Sequence, residues 1–411
     1  MALPVDETEG RKGLVMKAEL SVAIDVGSGK HAVGIGDGRA ILEEFEITHD
    51  RAGFEEFFRK VELHRLASRL PVVVAMEGTG GWARPLDGMI MERGYELLNV
   101  NNVKLARFKE IFPAPAKTDR IDVQKILELM QMRHVLATSR RVIEPVMQPD
   151  AMNDQLKKLT RRRRQLVDEK NRILNRLGAD LHAVSPGMSK ITVATGNLWF
   201  LRFLASRDDL RKLARLKESS LLKVRGIGKK WASVIRAWQP TASFSPEVEW
   251  VGPMIIADAR RVLELIAQIN TLEEHIVVVA QDSAMAQQID SIPGFGPICS
   301  GELAGEIATI NRFRSDSGLA IYIGMAPLSK DSGESKSSKP SKQVNRRAKA
   351  AMMTAVARHI EQVPQSRDYY EKKRAEGKTH NQGWSNQGWR VTPSNQGWRV
   401  TPSLFGSGVR I

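Results

Sequence analysis

Four carboxylates stand where a strand end or a helix start can present them. Asp25 sits near the end of the apolar run 20–26 (LSVAIDV), and Glu77 directly follows the run 71–76 (PVVVAM). Asp119 and Asp122 are spaced i, i+3 at the start of a helical stretch, which puts both on one face. Singly, each has an ordinary use: Asp25 can cap a turn and Asp119 can be the N-cap of its helix. Jointly, four carboxylates reaching one point would repel unless a cation neutralised them. Mg2+ suits that set, because it prefers hard oxygen ligands and keeps water for chemistry. One or two such ions could activate a nucleophile and stabilise the leaving oxygen of a phosphodiester.

The elements that must position these acids are legible by pattern. Residues 20–26, 32–36, 40–47, 71–76 and 95–100 read as strands, with a tight turn at Gly36-Asp37-Gly38. Residues 51–66 fit an amphipathic helix with Phe54, Phe57, Phe58 and Val61 inward, and 84–93 and 119–135 are also helical. Strands alternating with helices predict an α/β domain over 18–140. One acid after the first strand, one after a central strand and two on a later helix is the order of a ribonuclease-H-like fold with an Asp-Glu-Asp-Asp metal site.

The middle of the chain changes character. Residues 153–182 carry Leu159, Leu166 and Ile173 at heptad spacing, with Leu156 and Leu177 alongside. Residues 257–282 carry Val262, Leu265, Ile269, Leu272, Ile276 and Val279, alternating by three and four. Two such seams predict an antiparallel coiled coil, within one chain or between two, in a region spanning 153–285. From 155 to 176 there are nine basic and two acidic residues. The run Arg161, Arg162, Arg163, Arg164 wraps round its helix, so some of it must leave the seam. A solvated face is the plain reading and phosphate contact the functional one.

Two glycine turns follow the helix–hairpin–helix pattern, in which glycine amides approach a phosphate at a helix N-terminus. One is Val224 to Lys229 (VRGIGK). The other is Ile292 to Pro297 (IPGFGP), with Gly294 and Gly296, and it is the stronger match. A C-terminal, mainly helical domain is expected over 286–362. It contains the Ser/Lys-rich segment 329–349, with six serines, seven basic residues and two acidic ones. Lys117 and Arg120 beside the acidic pair, and Lys336, Lys339, Lys342, Arg346 and Arg347, are candidates to grip a nucleic-acid backbone.

Composition agrees with such a partner. The chain has 411 residues, 42% apolar, with a formal net charge of +15. An excess that basic favours a polyanion. The single cysteine, Cys299, excludes a disulfide framework and a cysteine zinc cluster. His31 and His134 lack metal-ligand spacing. No apolar run approaches a membrane span, and residues 1–17 lack a signal core, so a cytoplasmic protein is expected, with 1–17 a disordered or non-native extension and Met16 an alternative start. Residues 363–411 are expected to be a disordered tail, because SNQGWRVTP occurs at 385–393 and again at 394–402.

Ile24-Asp25-Val26-Gly27, Met76-Glu77-Gly78-Thr79-Gly80 and Lys117-Thr118-Asp119-Arg120-Ile121-Asp122 resemble the DEDD transposases of the insertion-sequence one-ten family, a pattern shared by Piv-type DNA invertases. Residues 290–326 and Ala326-Pro327 resemble that family's C-terminal transposase domain. The resemblance runs from about 20 to 362. It implies a RuvC-like N-terminal domain and a recombinase that moves a DNA element. It further implies a serine nucleophile, held as a phosphoserine ester and assisted by the metal-bound carboxylates in a composite site across a homo-oligomer, and a structured guide RNA from the element. By motif position the serine is Ser332, five residues after Pro327 and just before Gly333, with Ser329 and Ser335 as alternates. The competing expectation is a RuvC-like metal-dependent nuclease or junction resolvase with no serine step. An actin-like phosphate loop at Asp25 to Lys30 lacks its second loop and leaves Asp119 and Asp122 idle. A non-catalytic nucleic-acid binder is the third rival.

Overall fold

The computed structural model describes residues 18–79, 81–111, 119–135, 142–326, 328–332, 335–339, 341, 344–383, 393–394 and 397–398. Of residues 103, 109, 111, 119, 120, 135, 329–332, 335–339 and the two short tail pieces it describes the backbone alone. Lys117, Lys342, the extension 1–17 and most of the repeat-bearing tail lie outside the described residues. The chain divides into two compact units, Met1–Met147 and Gln148–Ile411.

The first unit is a six-stranded mixed sheet. Its strands are β1 (Leu20–Val26), β2 (Lys30–Gly36), β3 (Ile41–Thr48), β4 (Val72–Glu77), β5 (Glu96–Val100) and β6 (Ile143–Pro145), in the order β3-β2-β1-β4-β5-β6. β1, β2 and β3 are antiparallel neighbours, whereas β4 runs parallel to β1 and β5 parallel to β4. Parallel strands need a crossover, and α1 (Arg51–Ser68) and α2 (Arg84–Glu92) supply it. Asp50 caps α1 by accepting from the Gly53 amide, and Phe54, Phe57, Phe58 and Val61 are buried as the spacing requires. They pack on Leu20, Val22, Ile24, Val72, Val74 and Met76 from one side of the sheet. On the other side, Ala23, Val73 and Ala75 meet Val123, Ile126, Leu127 and Met130 of α4 (Asp119–Val135). α3 (Asn102–Ile111) precedes α4 in the chain.

The second unit is almost wholly helical. α5 (Ala151–Val184) and α10 (Val248–Gln281) each run 34 residues and pair side by side. The ion pairs Arg163–Glu273 (2.5 Å), Arg261–Glu169 (2.8 Å) and Arg176–Asp258 (2.5 Å) show that they run antiparallel within one chain. α10 starts nine residues before its seam, passing through Pro253 in its second turn. The lost hydrogen bond is outweighed because Val248, Gly252, Ile255 and Ile256 are buried there. Between these helices lie α6 (Leu198–Ala205), α7 (Leu210–Leu213), α8 (Glu218–Leu221) and α9 (Lys229–Trp238). They share one core with the far ends of α5 and α10, centred on Phe200, Phe203, Leu181, Ile255 and Trp238.

The opposite ends of α5 and α10 pack with α11 (Ala284–Asp290), α12 (Gly296–Ile307), α13 (Asp316–Tyr322) and α14 (Arg346–Gln362) around Leu156, Ile276, Phe295, Leu303 and Met352. Two features correct the sequence reading. The Ser/Lys-rich segment contains a hairpin, β7 (Leu328–Ser332) with β8 (Ser335–Lys339), in the register Ser332 to Ser335. It lacks the apolar alternation that announces a strand, so pattern alone passed over it. The expected disordered tail begins instead with a helix, α15 (Pro364–Ala375). Pro364 opens it, Ser366 is buried, and Tyr370 packs on the second core.

Candidate active site and nucleic-acid interface

The sheet brings two of the four acids together, at the carboxyl ends of its central strands. In the parallel register Ile24 lies beside Met76, so the next step places Asp25 beside Glu77 at the carboxyl ends of neighbouring strands. Side chains alternate along a strand. Ile24 and Met76 face α1 and α2, so Asp25 and Glu77 face the α4 side with Ala23 and Ala75. Both are partly exposed. Asp122 lies in the first turn of α4 and is only 8% exposed. Asp119 is the first residue of that helix, one turn earlier.

Local packing sets where α4 delivers those acids. A Cβ at Gly34 would strike Val123 and press on Leu127, so glycine at this point of β2 lets α4 lie close against the sheet. The other end of α4 is pinned by Arg133, which donates to Glu19 at 2.6 Å with both groups largely buried. Gln124 donates to Glu44 of β3 at 2.8 Å. After Glu77 the chain turns at once, with Gly78 in the left-handed region at φ 85°, and Thr79 donates to Asn99 of β5 at 2.6 Å.

Hard oxygen donors from two strand ends and a helix start have the chemistry a divalent cation takes. Among the described residues, no three His, Cys, Asp or Glu side chains already stand as a closed metal cluster. Asp119, the fourth member, has only its backbone described. His31 is not part of this set. It is buried on β2 and hydrogen-bonds His49 at 2.8 Å.

The arginine run is the sharpest change from the sequence reading. Arg161 forks onto Glu306 of α12 at 2.6 and 2.9 Å, Arg163 reaches Glu273 of α10, and Arg164 binds Glu302 of α12 at 2.9 Å. Three of the four arginines therefore hold the second unit together, and Arg162 alone of the run is left on the exposed face. Glu306 is 1% exposed. Burial works against its charge, but Arg161, Asn345 and Lys157 outweigh this and hold its carboxyl below the usual range. Burial pushes the Glu302 carboxyl up, and Arg164 and Arg163 offset only part of it. These glutamates escaped the sequence reading. The signal was present: two acids four apart in an otherwise apolar helix, opposite arginines three apart.

The two glycine turns share their first half and part at the second glycine, extended at Gly228 with φ −93° and left-handed at Gly296 with φ 61°. In each, the residue after the first glycine donates back three positions, Ile227 to Val224 and Phe295 to Ile292, and that glycine has positive φ, 95° at Gly226 and 89° at Gly294. Gly294 is needed for packing, because a Cβ there would run into the backbone of Arg358 and His359 of α14. His359 then locks the turn. Its Nδ1–H donates to the Pro293 carbonyl at 2.8 Å and its Nε2 accepts from Ser366 at 3.0 Å. Burial holds the His359 imidazole below its ordinary pKa, in the neutral form that this pairing needs. Gly296 opens α12 with free space around it.

The remaining candidates fall in the C-terminal part. Ser332 is the last residue of β7 at the hairpin tip. Ser329 and Ser335 lie in the same hairpin, with Lys336 and Lys339 on β8. Arg346 and Arg347 are exposed at the start of α14, whose first turn is capped by Asn345. Cations are unfavourable at a helix N-terminus, so helix stability does not explain them. Arg120 is the second residue of α4.

A mixed sheet of this order, with acids at the carboxyl ends of its central parallel strands, is consistent with the ribonuclease-H-like domain of a DNA transposase. Residues 22–186 match the DEDD transposase model of the IS110 type, and residues 286–371 match the model described as Transposase IS116/IS110/IS902 family. The chain belongs to this IS110/IS116 family of insertion-sequence transposases and is a DNA transposase enzyme. It is 25% identical over 369 residues to the insertion element IS116 uncharacterized 44.8 kDa protein of Streptomyces clavuligerus, covering 88% of this chain and 90% of that one. It is 26% identical over 368 residues to the insertion element IS900 uncharacterized 42 kDa protein of Mycobacterium paratuberculosis, covering 87% and 90%. A putative transposase, y4uE of Sinorhizobium fredii, is 25% identical over 220 residues, 53% of this chain and 58% of that one. Among the described residues, no helix is long and apolar enough to cross a membrane.

Proposed function

We propose that the chain cuts and rejoins DNA at insertion-element ends through a covalent serine intermediate, with Ser332 as nucleophile and Asp25, Glu77, Asp119 and Asp122 as the assisting carboxylates. The observation that carries this reading is the pairing of Asp25 with Glu77 at the carboxyl ends of neighbouring central strands, on the face that α4 covers. The four carboxylates would hold Mg2+, which when bound supplies positive charge to a phosphodiester and lowers the pKa of a nearby hydroxyl. In the covalent step the Ser332 oxygen loses its proton and forms a P–O ester. One deoxyribose oxygen leaves the phosphorus and takes a proton. The number of phosphoester bonds is unchanged, so the strand can be resealed without an outside energy source.

Ser332 at a hairpin tip is suited to reach a substrate backbone, and Lys336, Lys339 and Lys342 would hold the phosphates around it. Arg346 and Arg347 at the start of α14 fit the same role. Lys117 and Arg120 would grip DNA beside the acids, and the amide side of Gly296 is open to a phosphate. Arg162 is the member of its run proposed for such contact. The same reading includes a structured guide RNA, a homo-oligomeric assembly, a coiled coil formed by α5 and α10, and action in the cytoplasm.

The test is a denaturing gel of protein incubated with an element junction, its flanking RNA and Mg2+. A protein–DNA adduct is expected, lost in both Ser332→Ala and Asp119→Ala. Cleavage without an adduct, indifferent to Ser332→Ala but abolished by Asp119→Ala, would overturn the serine step and leave a RuvC-like nuclease.

A further inference from the structure

The segment 215–236 carries seven basic residues and a single acid, Glu218. Lys223, Arg225, Lys229 and Lys230 crowd its glycine turn, and all four are exposed. Unlike Arg161, Arg163 and Arg164, none of the four has a carboxylate partner among the described residues. The turn beneath them is held by packing. Gly226 packs against Trp199 of α6, where a Cβ would come within 3.1 Å of that side chain, and Trp199 stacks on Trp231 of α9 with centroids 4.3 Å apart. Arg202 donates to the Arg225 carbonyl at 3.3 Å and adds a fifth cation. Gly228 is followed by the ten residues of α9, no side chain caps that start, and nothing lies within 4 Å of where its Cβ would be. The first amides of α9 therefore keep no intrahelical acceptor, and the helix dipole adds positive potential beside the lysines.

We infer that the Lys223–Lys230 turn is a second DNA-binding site, which grips the phosphate backbone of duplex DNA without reading its bases. This rests on the chain's being a DNA transposase. Charge complementarity names the partner: clustered, unpaired lysine and arginine heads beside exposed backbone amides match closely spaced phosphates, and no side chain here is arranged as a base reader. The glycine at 228 keeps the amide side clear, so a phosphate can approach the backbone itself.

The experiment measures binding of the full chain to a fluorescent duplex of arbitrary sequence across a salt series. Arg225→Gln/Lys229→Gln/Lys230→Gln should reduce the slope of log affinity against log salt by roughly 2.7, on about 0.9 per phosphate contact. If the two curves meet near 1 M salt, the same slope implies a loss on the order of 100-fold at about 0.15 M. Gly228→Asp gives a fold-independent check. An aspartate there can cap α9, so the melting temperature should hold or rise, while duplex binding falls because the carboxylate occupies the phosphate position. Unchanged slope and affinity in both variants, with wild type binding normally, would overturn the site and leave the transposase reading intact. Loss confined to a hairpin RNA, with duplex DNA unaffected, would overturn it in favour of RNA. A wild-type chain that binds no arbitrary duplex would overturn this site, while the adduct assay on the element junction tests the DNA step separately.

Discussion

The two glycine turns of the second unit begin with the same backbone, positive φ at Gly226 and Gly294, and have opposite surroundings. At Gly294 the absent side chain makes room for α14, His359 locks the turn from below, and the helix that follows is buried from Ser300 to Ile307. Between 284 and 307 there is no basic residue and there are three acidic ones. At Gly226 the absent side chain makes room for Trp199, and Lys223, Arg225, Lys229 and Lys230 around it are exposed. The second turn matches the motif better by sequence, yet the first has the charge that a phosphate needs. The shared first half shows that such a turn fixes only its own local geometry. Whether its amides meet solvent, a phosphate or the rest of the protein is set by the neighbouring elements.

The contrast is most exposed to test at Gly294. Gly294→Ala puts a Cβ into the α14 backbone at a left-handed φ, and overpacking together with that strain should cost about 3 kcal/mol. Gly228→Ala should cost about 1 kcal/mol or less, since its φ is ordinary, its surroundings are empty and only the preference for glycine over alanine at an N-cap is lost. Equal costs in paired urea melts would erase the distinction between the turns.

The acids after the second turn sharpen it further. Arg161→Ala leaves Glu306 buried with weaker partners. The cost should be on the order of 3 kcal/mol, the low end for a broken buried pair because Arg161 is itself 40% exposed. Arg162→Ala, one residue along on the exposed face, should stay within about 0.5 kcal/mol. A denaturation series in which both substitutions cost the same would show that the Arg161–Glu306 fork is not a structural tie.

The smallest effect is one of pH. Burial holds the His359 imidazole below its ordinary value, so the unfolded chain takes up a proton more readily than the folded one. The stability contributed by the neutral ring is present above about pH 6.5, the ordinary histidine value, and is lost as pH falls through the lower folded value. His31 in the first unit carries the same sign, also through burial and then His49. Melting temperature should fall between pH 7.5 and 5.5, and His359→Gln should reduce that fall without abolishing it. A variant as acid-sensitive as wild type would show that the lock on the Pro293 turn does not titrate.

Much of the first unit was legible in the sequence. Each of its early strands and helices begins and ends within two residues of its pattern, and Phe54, Phe57, Phe58 and Val61 are buried as their spacing requires. The acid order was legible as well, because each acid adjoins an element whose period is plain. The hairpin of Ser332 and the helix Pro364–Ala375 were not, since neither segment carries an apolar period strong enough to announce itself.

For most elements of the first unit and for the two long helices, local pattern by itself determined strand or helix and the apolar face, because those follow from side-chain spacing along one segment. It also determined that the chain is strongly cationic and that four acids adjoin element ends. Only the tertiary structure decided which cations remain available. Arg161, Arg163 and Arg164 meet glutamates 110 to 145 residues away in the chain, whereas Lys223, Arg225, Lys229 and Lys230 meet none among the described residues. Charge pairing depends on distance in space, and sequence separation of that size says nothing about it until the helices are packed.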